Sequence, residues 1–167
     1  VMKNVLGLIL ACTTLFSCQK DPVIHEEPSL AGETAVKDAL TSTDWVLKHT
    51  ALIYSPDLVD NGPGEPCKQD DVYRFMLTGS ADIEFGANSC WAGLPVPPPA
   101  SGSYGSWELQ ANGIVLKQTV SRDVPGFVSG EVIYWTVDYI TAAKMRIKRL
   151  VTEPGKTYTQ MDTYIRR

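Results

Sequence analysis

From residue 43 to residue 166 the chain repeats one pattern: short runs of alternating apolar and polar side chains, broken by turn-forming residues. A period of two marks a strand with one buried face, and such strands must pair into a sheet to satisfy their backbones. Trp45 and Leu47 alternate with Val46 and Lys48 in a first run that reaches toward Ile53. Tyr73, Phe75 and Leu77 alternate about Arg74. Thr78-Gly79-Ser80 then turns into a run where Ala81, Ile83 and Phe85 oppose Asp82 and Glu84. Trp107 and Leu109 face away from Ser106, Glu108 and Gln110, and Asn112-Gly113, a strong hairpin signal, leads into residues 114–120.

Residues 131–140 concentrate β-branched and aromatic side chains (Val132, Ile133, Tyr134, Trp135, Val137, Tyr139), which suit a pleated surface. Thr141-Ala142 connects to residues 144–150, and Glu153-Pro154-Gly155-Lys156 turns into residues 157–166. The pattern predicts eight strands. An all-β, antiparallel up-and-down barrel and a two-sheet sandwich both accommodate them. Closure removes exposed edges and suits hairpins that follow one another without a long crossover, so the barrel is the expectation.

The N-terminus reads as an address. Lys3 precedes a nearly unbroken apolar stretch over residues 5–16, too short for a bilayer span of about 20 residues but suited to a secretory signal. It ends in Leu15-Phe16-Ser17-Cys18, which resembles a bacterial lipobox, with Cys18 as the lipidated residue. Ile9-Leu10-Ala11-Cys12 matches the same pattern but would leave only a short apolar core, so Cys18 is preferred. Residues 1–17 are then signal, and acyl chains on Cys18 anchor the protein to a membrane. Gln19-Lys20-Asp21 resembles the tag that sends Bacteroidetes lipoproteins to the outer face of the outer membrane. The expected location is therefore the cell envelope, with the chain anchored in the outer membrane.

Residues 19–32 carry Pro22, Pro28 and three acidic side chains and read as a stalk. Residues 33–40 place Ala35, Val36, Ala39 and Leu40 at helical spacing, so a two-turn helix on one end of the domain and a continued stalk both remain open. The domain boundaries are drawn at 18–40 for anchor and stalk and 41–167 for the barrel.

Once Cys12 is removed and Cys18 acylated, Cys67 and Cys90 remain in a chain bound for an oxidising compartment, where a disulfide is the expectation. Such a bridge contributes about 3.5 kcal/mol by loop entropy. Two free thiols are the alternative. A metal site is not expected, since no second cysteine or histidine lies near either cysteine at ligand spacing. No cofactor is predicted.

The formal charge of -4 removes the basic stripe that nucleic acid binding requires. Neither His25, in the stalk, nor His49, on a strand, accompanies a nucleophile motif. Asp70 and Asp71 are adjacent, so on a strand they point to opposite faces and cannot straddle a substrate. No enzymatic activity is predicted.

Over roughly residues 40–167 the chain resembles the bacterial lipocalin-like domain family of Bacteroidetes lipoproteins. The residues that carry the resemblance are Trp45-Val46-Leu47, then Pro66-Cys67-Lys68-Gln69-Asp70-Asp71 with Phe75 and the Gly79 turn, and Cys90. Gly105-Ser106-Trp107-Glu108-Leu109, the strand with Leu116 and the closing Tyr164-Ile165-Arg166-Arg167 complete it. The chain departs from the pattern at residues 87–103, where Leu94-Pro95-Val96-Pro97-Pro98-Pro99 adds a stiff loop, and at residues 121–130. The resemblance implies a small calyx and suggests an apolar or amphipathic ligand.

Trp107, Trp135 or its neighbour Tyr134, and Tyr139 are the candidates to line that calyx, beside Trp45, Tyr73 and Phe75. Trp45 and Trp107 also read as core plugs, because an eight-stranded barrel is barely wider than its own side chains. Trp91 and Leu94, in the proline-rich loop, are candidates either to cover a ligand or to meet a protein partner. A filled barrel acting as a surface interaction module is the competing expectation.

Overall fold

The computed structural model describes residues 28–55, 58–62, 66–88, 101–121 and 128–167. Cys18, Cys90, Trp91 and Leu94, together with the signal and the proline run, lie outside the described residues. The elements are α1 (Glu33–Thr41), β1 (Trp45–Ser55), β2 (Leu58–Gly62), β3 (Val72–Phe75), β4 (Ser80–Glu84), β5 (Ser101–Gln110), β6 (Val115–Val120), β7 (Val132–Ile140), β8 (Lys144–Glu153) and β9 (Lys156–Arg166). Neighbouring strands pair antiparallel in the order β2-β1-β3-β4-β5-β6-β7-β8-β9, and β1 pairs with β9 as well.

Those pairings close eight strands, β1 and β3 through β9, into an up-and-down barrel. The expected fold class is the one observed. β2 was not foreseen, and its cause is a mismatch of lengths. β9 covers one edge of β1 from Trp45 to Ile53. The other edge meets the much shorter β3 only at Trp45 and Val46. The backbone of β1 beyond that point would lack partners, so the chain turns back as β2 and pairs from Thr50 to Ser55.

The segment 33–40 resolves in favour of the helix, and the packed domain begins ahead of residue 41. Val36, Ala39 and Leu40 are buried in the barrel's core cluster. A nine-residue helix cannot stand alone, so this packing is what holds α1. The Trp45 indole donates to the Leu40 carbonyl at 3.0 Å, and Leu30 N–H donates to the Ile140 carbonyl at 2.7 Å. α1 thereby caps the end of the barrel where β1 begins. Under it, Trp45, Leu116, Ile140, Met145 and Ile147 are essentially inaccessible to solvent.

The turn around Asn112-Gly113 is wider than the two-residue loop the sequence suggests. Ala111, Asn112 and Gly113 all take positive φ, β6 starts only at Val115, and Ile114 is exposed. α1 rests on this loop, with Glu33 N–H 3.4 Å from Asn112 Oδ1. Leu77, expected on the strand's inner face, instead sits in the β3–β4 turn and is 70% exposed.

Replacing Leu40, which is fully buried, tests whether α1 belongs to the core. Leu40→Ala is expected to cost about 2–5 kcal/mol in a denaturant titration. A stalk residue would cost nothing measurable.

Candidate functional site

The inner surface of the barrel changes character along its axis. Toward α1 it is apolar and closed: Phe75 and Trp107 pack edge to face at 5.6 Å, and the Trp107 indole donates to the Met76 carbonyl at 3.1 Å. At the opposite end the inward side chains are Thr50, Leu52, Tyr73, Tyr104, Gln118, Arg149, Gln160, Asp162 and Tyr164. Of these, Thr50, Leu52, Tyr73, Arg149 and Gln160 are only partly buried. The apolar base and the more polar, partly buried half thus lie at opposite ends of one barrel interior.

Two hydrogen-bonded groups build the polar half. In the first, the Trp135 indole donates to Gln118 Oε1 at 2.9 Å, and Gln118 Nε2 donates to the Tyr104 hydroxyl at 2.9 Å. In the second, buried Asp162 accepts from the Thr50 hydroxyl at 2.9 Å and from Gln160 Nε2 at 3.0 Å. Arg149 joins the two. Its Nε donates to Gln160 Oε1 at 3.1 Å, while its guanidinium lies 4.9 Å from the Trp135 ring centre and 3.8 Å from a Glu131 oxygen. The last recorded β7–β8 pair toward this end is Thr136↔Lys148, so the Arg149–Trp135 stack sits where the two strands part.

The electrostatics follow from burial. Desolvation raises the Asp162 carboxyl above the ordinary aspartate range, against the opposing pull of its bonds from Gln160 and Thr50. Burial likewise raises the Tyr104 and Tyr164 hydroxyls, so both are neutral donors. Asp71, at the same end, is raised by burial although Gly86 N–H donates to it at 3.0 Å. On the outer face, Asp138 is held low by Lys148 and Arg146, a solvent-screened cluster of ordinary kind.

Trp107 and Trp135 are inside the barrel, as anticipated, but at different levels. Trp107 belongs to the closed base and Trp135 to the polar half. Of the neighbours Trp135 and Tyr134, Trp135 is the one inside, and the expectation that Tyr139 lines the interior is corrected. Tyr134 alternates with Trp135 and is 55% exposed on the outer face. Tyr139 would share the inner face with Ile133, Trp135 and Val137, but a bulge between Val137 and Tyr139 shifts the phase, leaving Ile140 inside and Tyr139 beside Arg146.

A second bulge has the opposite effect. Simple alternation puts Tyr104 with Ser106 and Glu108, on the solvent side. Register slips between Ala81 and Asp82 against β5, and the slip turns Tyr104 inward. Gly105 makes this close approach feasible, since a Cβ there would overlap the Thr119 carbonyl oxygen. Tyr104, Gln118, Arg149, Asp162 and Tyr164 were not named from the sequence as residues of the barrel interior. The available signal was polar residues at inner-face phase: Gln118 between Leu116 and Val120, Arg149 beyond Ile147, and Asp162 two before Tyr164.

On the outside, a groove of about 260 Å³ lies between α1 and β5, lined by Lys37, Leu77 and Glu108. Among the described residues no cluster of three or more His, Cys, Asp or Glu side chains could hold a metal ion, and no helix is long and apolar enough to cross a membrane. No family model and no curated protein matches this sequence.

The buried carboxyl makes stability fall as pH rises. The folded state holds the Asp162 proton more tightly than the unfolded chain, so stability declines from the ordinary value of 3.8 up through the raised folded value. Asp162→Asn is expected to remove that part of the pH dependence. The check is thermal melting of both proteins from about pH 4 to about pH 7.

Proposed function

We propose that this protein is a lipid-anchored cell-envelope protein whose lipocalin-like barrel binds a small amphipathic ligand without chemical conversion. The observation that carries the reading is the graded interior: an apolar base sealed by α1 and a polar, partly solvated half opposite it. A barrel that only had to be stable would gain by filling that half with hydrocarbon, because buried polar groups are costly unless each is paired. The ligand's apolar part would lie against the aromatic wall formed by Tyr73, Tyr104 and Trp135, and its polar part would meet the hydrogen-bonding groups near the mouth.

The anchor rests on the lipobox-like Leu15-Phe16-Ser17-Cys18, and outer-membrane placement on Gln19-Lys20-Asp21. The proposed Cys67–Cys90 bridge has geometric support. β3 and β4 pair from Val72↔Glu84, Asp71 accepts from Gly86 N–H, and Asp70 accepts from Asn88 N–H at 2.9 Å. These contacts join the segments flanking the two strands as far as Asn88, the last residue described before Cys90. The competing interaction-module reading draws on Tyr134 and Leu150, exposed apolar side chains on the outer faces of β7 and β8.

Native mass spectrometry of the protein, purified without denaturant, is expected to show a co-purifying small molecule. A bare mass and no uptake of added amphiphiles would favour the interaction module. Metabolic labelling with an alkyne fatty acid is expected to mark the wild type and to fail in Cys18→Ser; unchanged labelling would remove the proposed anchor.

A further inference from the structure

Resting on the proposed lipid anchor, we infer that the α1-capped end of the barrel docks on the membrane surface that holds Cys18, through Leu30, Leu77 and Ile114, with the polar half of the interior directed away from it. The argument begins where the chain enters the domain. Leu30 N–H donates to the Ile140 carbonyl at 2.7 Å, and Ile140 N–H donates to the Ser29 hydroxyl at 3.0 Å. Both residues are thereby fixed at the end of β7 that α1 covers. From Cys18 to Ser29 the chain is short. A coil of that length averages about 18 Å between its ends. A barrel strand of ten residues such as β5, tilted as barrel strands are, climbs about 25 Å. A chain tied at the capped end reaches a membrane lying under α1 at once. It reaches one beyond the polar half only by running taut along the whole outer wall.

The same end presents the surface that such an approach needs. Up-and-down topology brings the β3–β4 turn, the β5–β6 loop and the β7–β8 turn together around α1. Leu77, in the first, is 70% exposed, and Ile114, in the second, 56%. They flank the helix: Leu77 shares the outer groove with Lys37, and the Gly113 backbone next to Ile114 lies against Glu33 and Val36. Leu30, beside the third, is exposed as well. Large apolar side chains that project from loop tips, on an end already sealed from within, add nothing to the core and are suited to the boundary between headgroups and acyl chains.

Between these tips the outer face of α1 is polar, with Glu33, Thr34, Lys37 and Asp38 exposed, so the contact reaches headgroup depth and no further. Lys37, Arg166 and Arg167 stand at this end as donors for lipid phosphates. The opposite end exposes apolar side chains too, Leu58 and Leu150 among them, and it is the short tether that decides between the two. With the polar half directed away, the ligand exchanges with the aqueous side and not with the anchoring leaflet.

The test uses the full-length protein, expressed with its signal and reconstituted into phosphatidylethanolamine–phosphatidylglycerol vesicles that carry a lipid with a diazirine near its headgroup. After irradiation, label is expected on residues 76–78 and 112–115 at least about tenfold above residues 153–157 at the β8–β9 tip. Leu77→Asp combined with Ile114→Asp alters two exposed side chains. It is expected to keep the melting temperature and the vesicle attachment while losing most of that label. Predominant label on residues 153–157, or on Tyr134 and Leu150, overturns the docking face and leaves the anchor standing, as does unchanged loop labelling in the double variant. Protein that does not stay with the vesicles overturns the anchor and this inference with it.

Discussion

β1 is the strand on which the closed ring depends, because it must satisfy two neighbours at once. Along one edge it carries β9 from Trp45 to Ile53, and on the other it reaches β3 through two residue pairs, Trp45↔Tyr73 and Val46↔Val72. A seam that short gains little from its ladder alone. What reinforces it is the packing at the same point: the Trp45 ring is fully buried, its indole bonds to the end of α1, and Leu40 is buried just beneath. Closure and capping are one event. Helix α1 owes its existence to the barrel end it covers, and the β1–β3 seam owes its firmness to the helix.

Sealing one end so completely divides the interior into two regimes. Near α1, dispersion and hydrophobic burial dominate, and side chains interlock with almost no solvent contact. Farther along the axis, Gln118, Arg149, Gln160 and Asp162 replace hydrocarbon with directional bonds whose worth depends on every member being satisfied. Such networks specify a single arrangement strongly and tolerate truncation poorly. Most surface ion pairs, such as Lys117 with Glu108, are by contrast half-solvated and contribute little.

Two bulges decide which aromatic rings face the interior. One in β7 moves Tyr139 out, and the slip opposite Asp82 moves Tyr104 in. Each is a displacement by a single residue, and in a period of two that reverses the face of whatever follows. The barrel's curvature demands such interruptions, since evenly pleated strands do not close without added local twist. Gly105 records that demand in the sequence, because any side chain there would strike the backbone of β6. Its role emerges only once the neighbouring strand is in place.

The amino-acid pattern alone determined the all-β class, the eight barrel strands, and the inward placement of Trp45, Phe75 and Trp107. These follow from local rules, alternation and turn chemistry, that hold wherever the chain lies in space. Tertiary structure decided the rest. Whether residues 33–40 were helix or stalk depended on a barrel end needing cover. The added strand β2 depended on the unequal lengths of β1 and β3. The makeup of the polar half depended on bulges and on which inner-face polar residues found one another across strands distant in sequence, as Thr50 found Asp162. Alternation can state that a residue points inward; only closure of the ring determines what it meets there.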